Sequence, residues 1–128
     1  MPSEPFPMPT ILIVDDDDAI RAILYDLLCE KYECDTASTA EEALHYIEVD
    51  SYEAILTDLA MPGLGGVELL KKIQETDSAT PVILISGKGA EQDPQDLIDL
   101  GAFAYVNKPF NLAEIEDVVE QAVGQAQS

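Results

Sequence analysis

Ile11-Leu12-Ile13-Val14-Asp15-Asp16-Asp17-Asp18 is an unbroken apolar run that stops in four consecutive carboxylates. A run with no alternating polar residue fits a strand covered on both faces, as in a parallel sheet. The acids then fall at the strand's exit. The same construction recurs further along the chain. Ala54-Ile55-Leu56-Thr57 runs into Asp58, just before Met61-Pro62-Gly63, and Val82-Ile83-Leu84-Ile85 runs into Ser86. A last short run, Tyr105-Val106, leads into Asn107-Lys108-Pro109-Phe110. Exits of parallel strands are where open α/β sheets build their binding sites.

Between these runs the hydrophobic period changes from that of a strand to that of a helix. Ile20, Ile23, Leu24, Leu27 and Leu28 follow the spacing of one buried helical stripe, and Ala40, Ala43, Leu44 and Ile47 repeat it. Val67, Leu70 and Ile73 mark a third helix, and Ile115, Val118, Val119 and Ala122 mark the last. A shorter helix is expected over Pro94–Leu100, ended by Gly101. Cap candidates are Asp17 or Asp18 for the first helix, Ser38 or Thr39 for the second and Asn111 for the last. Strands are expected at Thr10–Val14, Glu33–Ala37, Ala54–Thr57, Pro81–Ile85 and Phe103–Val106. The chain is thus an α/β protein of (βα)5 type. Right-handed crossovers make it a doubly wound parallel sheet, with the flavodoxin-like strand order 2-1-3-4-5 as the natural small solution. In that order the first and third strands are neighbours, so Asp15, Asp16 and Asp58 converge on one crevice. The domain is expected over residues 10–123, after a proline-rich leader (1–9) and before a frayed tail (124–128).

Composition narrows the function. The chain has 128 residues with 26 acidic side chains against 6 basic ones, a formal net charge of -20. Such a surface repels phosphate backbones and anionic membranes, so direct nucleic-acid or membrane binding is not expected. No apolar stretch reaches membrane-spanning length, and residues 1–9 lack the basic and apolar regions of a signal peptide. Cys29 and Cys34, with a single histidine at His45, indicate neither a disulfide framework nor a zinc site. They are expected as free thiols in a reducing cytoplasm. His45 is expected on the surface, and Phe103 and Phe110 as packing residues.

Carboxylates crowded into one crevice repel one another and call for a cation. Mg2+ fits, because it takes oxygen ligands and is held by one or two carboxylates plus a phosphate group. A carboxylate can also take a phosphoryl group as an aspartyl phosphate. That chemistry needs cations and hydrogen-bond donors around the transferred group. Lys108 supplies the charge and Ser86 a hydroxyl, each from another strand exit, with Asp58 as the acceptor and Asp15 and Asp16 on the metal. Taken singly the motifs have ordinary readings: capping for the Asp run, a turn at Asp58, a loop at Lys108-Pro109. Their joint occurrence in this order is what carries weight.

As a set, these residues resemble the receiver domain of two-component response regulators, of the type seen in single-domain chemotaxis regulators. The likeness runs from about Thr10 to Gln121. It implies Asp58 as the phosphoacceptor, Ser86 and Tyr105 as switch residues, and Lys108 as the active-site lysine in a Lys-Pro-Phe motif. It also implies a cis Lys108–Pro109 bond. Mg2+ would then be bound directly by Asp16, Asp58 and the backbone carbonyl of Ala60, with Asp15 acting largely through water. The implied phosphodonor is a histidine kinase or histidine phosphotransfer protein, and the implied output an unnamed protein target. The chain departs from the family at Leu64-Gly65-Gly66, where many members carry Met-Asp-Gly, and it has Ala60 and Lys88 at two positions that influence the lifetime of the acyl phosphate. A stand-alone regulator and a piece of a longer protein both fit. A dehalogenase-type phosphohydrolase also uses a strand-end Asp-x-Asp, which Asp15-Asp16-Asp17 satisfies, but it leaves Asp58 without a role. A pseudo-receiver scaffold leaves the retained chemical residues unexplained. From Gly89 to Ser128 the only basic residue is Lys108, so a monomer is expected.

Overall fold

The computed structural model describes residues 8–60, 63, 65–76, 79–87 and 94–127. Strands and helices alternate: β1 (Thr10–Val14), α1 (Asp18–Leu28), β2 (Glu33–Ala37), α2 (Ala40–Val49), β3 (Ala54–Asp58), α3 (Gly66–Thr76), β4 (Val82–Ser86), α4 (Pro94–Asp99), β5 (Ala104–Asn107) and α5 (Leu112–Gln127). The strands make one parallel sheet in the order β2-β1-β3-β4-β5. This is the doubly wound arrangement expected above.

Alternation along the strands divides the core into two layers. Leu12, Val14, Ile55, Val82 and Leu84 face α2, α3 and α4 through Ala40, Ala43, Leu69, Leu70, Ile73 and Leu97. Ile11, Ile13, Leu56, Ile83 and Ile85 face α1 and α5 through Leu24, Leu28, Ile115, Val119 and Ala122. Both faces of the sheet are covered, which is why the central strands carry no polar alternation.

The caps resolve the open alternatives. Asp17 caps α1, accepting from the amides of Ala19 (2.9 Å) and Ile20 (3.3 Å). Thr39 caps α2 by accepting from Glu42 N at 3.0 Å, while Glu42 Oε1 accepts from Ser38 N, the residue before the cap, at 2.7 Å. Asn111 Oδ1 accepts from Glu114 N at 2.7 Å and starts α5. Gly101, at φ +110, ends the α4 segment in a conformation that side chains disfavour.

Several bounds differ from the expectation. β3, β4 and β5 each run one residue further, to Asp58, Ser86 and Asn107, because these residues keep their ladder partners: Asp58 pairs with Ile85 and Ser86 with Asn107. α5 continues through Gly124 to Gln127, anchored by buried Ala122 and Val123, so the helix takes in most of the segment expected as a tail. Pro9 extends the β1–β2 ladder, its carbonyl accepting from Glu33 N at 2.9 Å, whereas residues 1–7 of the expected leader lie outside the described residues. Ile23 was expected in the buried stripe of α1 but is 45% exposed, beside a groove described below.

Candidate functional site

The register sets the site. β1 ends where Val14 lies opposite Thr57 of β3, which brings Asp15 level with Asp58. Asp15 N donates to Ala37 O at 3.1 Å, continuing the ladder one step past the strand. Lys108 N donates to Ser86 O at 2.6 Å, so the lysine leaves β5 directly beside β4. The Lys108–Pro109 bond is cis, as the resemblance implied. Among the described residues the buried polar side chains are Asp15, Thr57, Asp58 and Ser86, all at the carboxyl ends of strands. Buried polar groups are rare unless satisfied, so their convergence on one edge marks the site.

Asp15, Asp16 and Asp58 place carboxylate oxygens within 4.8 Å of one another. Lys108 Nζ lies 3.4 Å from Asp15 Oδ2 and 3.5 Å from Asp58 Oδ2. Asp58 Oδ1 accepts from Ala60 N at 3.3 Å, and Asp15 Oδ1 from Asp17 N at 2.9 Å. Burial, and then the charge of Asp15, pushes the Asp58 carboxyl up to about 6, against the pull of Lys108 and the Ala60 amide. Asp15 is likewise raised, first by burial, with the Asp17 amide and Lys108 opposing. One ammonium facing three carboxylates leaves the crevice short of positive charge. An all-oxygen donor set with that deficit fits a hard divalent cation such as Mg2+, and Asp15, Asp16 and Asp58 are the residues placed to hold it.

Asp15, Asp16, Asp58 and Lys108 are therefore brought together as expected. Ser86 is at the exit of β4, 1% exposed, and its hydroxyl donates to Gly87 O at 3.3 Å. Tyr105 stands on β5 opposite Leu84, half-buried against the α2–α3–α4 core layer. Ala60 is exposed and takes part through its amide. Met61, Pro62, Leu64 and Lys88 lie outside the described residues. Gly66 sits close against the acceptor strand: its amide donates to Leu59 O at 2.9 Å, and a Cβ there would come within 2.7 Å of Asp58 O. Gly66 thus permits a close approach of α3 to the exit of β3.

Three features escaped the sequence reading. Thr57 is fully buried and donates to Asp58 O at 3.1 Å, a residue that the apolar run had absorbed as strand. Arg21 Nη1 donates to Asp15 O at 2.7 Å from inside α1, a contact without any motif. Ile20, Ile23, Pro109, Phe110 and Leu112 line an apolar groove of about 590 Å³ whose edge is Gly87 and Lys108. The helical periodicity of Ile20 and Ile23 was the available signal, but it reads as core. His45 is exposed on α2, as expected.

The family model of the response regulator receiver domain matches residues 11–120. The transcriptional regulatory protein YkoG of Bacillus subtilis is 35% identical over 116 residues, 90% of this chain and 51% of the relative. The alkaline phosphatase synthesis transcriptional regulatory protein PhoP of Bacillus subtilis is 35% identical over 106 residues, 82% of this chain and 44% of the relative. The chain spans about half the length of these curated relatives. Among solved structures, a response regulator receiver domain protein from Clostridium thermocellum superposes with a TM-score of 0.87 at 28% identity, covering 94% of this chain and 98% of that one. The receiver domain of NtrX from Brucella abortus gives a TM-score of 0.84 at 32% identity, covering 89% and 98%. This chain belongs to the response-regulator receiver family of two-component signalling.

Proposed function

We propose that this receiver accepts a phosphoryl group on Asp58, in a Mg2+-dependent transfer from a histidine kinase or histidine phosphotransfer protein, and that phosphorylation switches its partner-binding surface. One observation carries the reading: Asp58 is buried at the exit of β3, between two further carboxylates and the Lys108 ammonium. A dehalogenase-type reading gives Asp58 no such place.

In the transfer, an Asp58 carboxylate oxygen forms the bond to phosphorus as the phosphorus–nitrogen bond of the donor's phosphohistidine breaks, and the imidazole then takes up a proton. Bound at Asp15, Asp16, Asp58 and the Ala60 carbonyl, Mg2+ would neutralise charge on the phosphoryl oxygens. Lys108 holds the transferred group's charge, and the Ser86 hydroxyl turns from Gly87 O to donate to it. Tyr105, half-buried at the edge strand β5, passes that change to the outer surface. The groove lined by Ile23, Phe110 and Leu112 opens beside Lys108 and offers a protein donor an apolar seat. The chain turns over no separate substrate, since the group ends on its own side chain. A cytoplasmic location suits such an exchange, and no helix among the described residues is long and apolar enough to cross a membrane. A net charge of -20 weighs against direct contact with nucleic acid by this chain.

The metal half of the proposal is tested by melting. A ligand that binds only the folded state, at about a hundredfold excess over its Kd, adds about 2.7 kcal/mol. Saturating Mg2+ raises the melting temperature of the wild type, and Asp16→Ala removes most of the rise. A melting curve indifferent to Mg2+ refutes the metal assignment.

A further inference from the structure

We infer that Arg21 is a positioning residue for the acidic pair: its forked guanidinium clamps the β1–α1 turn on both sides of Asp16 and so presents that carboxylate to the crevice. Nη1 donates to the Asp15 carbonyl at 2.7 Å, and Nη2 donates to Asp18 Oδ1. The two clamped residues flank Asp16 and Asp17. Asp17 is fixed independently, by its amide on Asp15 Oδ1 and by its capping of α1. Asp16 is exposed and has no side-chain hydrogen bond or ion pair among the described residues, yet its carboxylate stands within 4.8 Å of those of Asp15 and Asp58. Its placement therefore comes from the backbone that carries it.

The Arg21 side chain is only 21% exposed, while Asp18 is 90% exposed. The inner prong is thus the sheltered one, and it bonds the carbonyl of Asp15, one residue past the last paired residue of β1. Arg21 N also donates to Asp17 O at 3.0 Å, so the residue that grips the turn is itself locked in the first turn of α1. Its inner prong meets the Asp15 main-chain carbonyl and not a carboxylate of the crevice, so its hold on the acidic pair is through the backbone. A planar fork can hold two acceptors in fixed directions, which a lysine ammonium on a flexible stem does less well.

The inference rests on the reading of the crevice as a Mg2+ site, and the test separates the two. Mg2+ titration calorimetry is run on the wild type, Arg21→Lys, Arg21→Gln and Asp18→Ala, with the rate of labelling by a small phosphodonor followed against Mg2+ concentration. Arg21→Gln weakens Mg2+ binding about tenfold or more, as loss of a group that orients metal ligands does. Arg21→Lys recovers only part of this although it keeps the charge, and Asp18→Ala, which frees the outer prong, loses less than Arg21→Gln. The Mg2+ concentration at half-maximal labelling rises in step, while the rate at saturating Mg2+ stays within about threefold of the wild type. Wild-type affinity in Arg21→Gln, or full recovery in Arg21→Lys, overturns the clamp. Absence of Mg2+ binding by the wild type overturns the reading of the crevice instead.

Discussion

A carboxyl group closed off from water at a strand end is costly to ionise, and Asp58 carries that cost in the metal-free protein. Its folded-state value of about 6 lies above the ordinary 3.8, with burial the first cause and the Asp15 charge the second. The folded state therefore holds this proton more tightly than the unfolded chain. That contribution to stability is fully present below pH ~4 and is lost as pH rises through about 6. Compared with Asp58→Asn, the wild type without metal loses stability across this window, on the order of 2 kcal/mol. Urea unfolding of both proteins in chelator, at pH 5 and pH 7.5, checks it, and a constant difference between them contradicts it. Asp15 and Asp58 were legible in the sequence because each ends a long apolar run, and Lys108 because it follows a short one and opens Lys108-Pro109-Phe110. Arg21 was not, since its bond to Asp15 depends on the first turn of α1 folding back over the turn before it. The direction of the Ser86 hydroxyl, now toward Gly87 O, is likewise a matter of rotamer and not of residue type.

At the scale of elements, order, type and caps followed from periodicity and from residues such as Asp17, Thr39 and Asn111. The strand ends did not. Polar residues at the end of an apolar run look like loop, yet Asp58, Ser86 and Asn107 stay in the ladder, and this pairing is what holds the chemical groups in fixed register. Ile23 fitted the α1 stripe by spacing, but the sheet covers only part of that stripe and leaves Ile23 in the groove with Phe110 and Leu112. The approach of α3 to β3 is a second such feature, because only the folded backbone shows that Gly66 has no room for a Cβ. Gly66→Ala would place that atom 2.7 Å from Asp58 O and 2.8 Å from Leu59 Cα. Backbone must shift to admit it, so the variant is destabilised by about 1–3 kcal/mol and binds Mg2+ more weakly. Denaturant titration measures the first effect, and wild-type stability in Gly66→Ala contradicts the packing.

Across the whole molecule the charge is unevenly distributed. From Gly89 to the C-terminus Lys108 is the only basic residue, and it lies against Asp15 and Asp58. The described part of the same region carries Asp96, Asp99, Glu114, Glu116, Asp117 and Glu120. A two-fold interface sets a patch against itself, so these carboxylates would face like charges without partners. The protein is expected to remain a monomer before and after phosphorylation, offering the α4–β5–α5 face to a basic or partly apolar partner. Light scattering at moderate salt, with and without a phosphoryl mimic, checks this. A dimer that forms through this face on activation contradicts the charge argument.

Whether Asp58 is the phosphoryl acceptor is read out by intact-protein mass spectrometry after treatment with a small-molecule phosphodonor and Mg2+. The expected product carries a single added phosphoryl group, stable in acid and labile in base, mapped to Asp58 and absent from Asp58→Asn. Labelling that persists in Asp58→Asn, or that maps to His45, contradicts it.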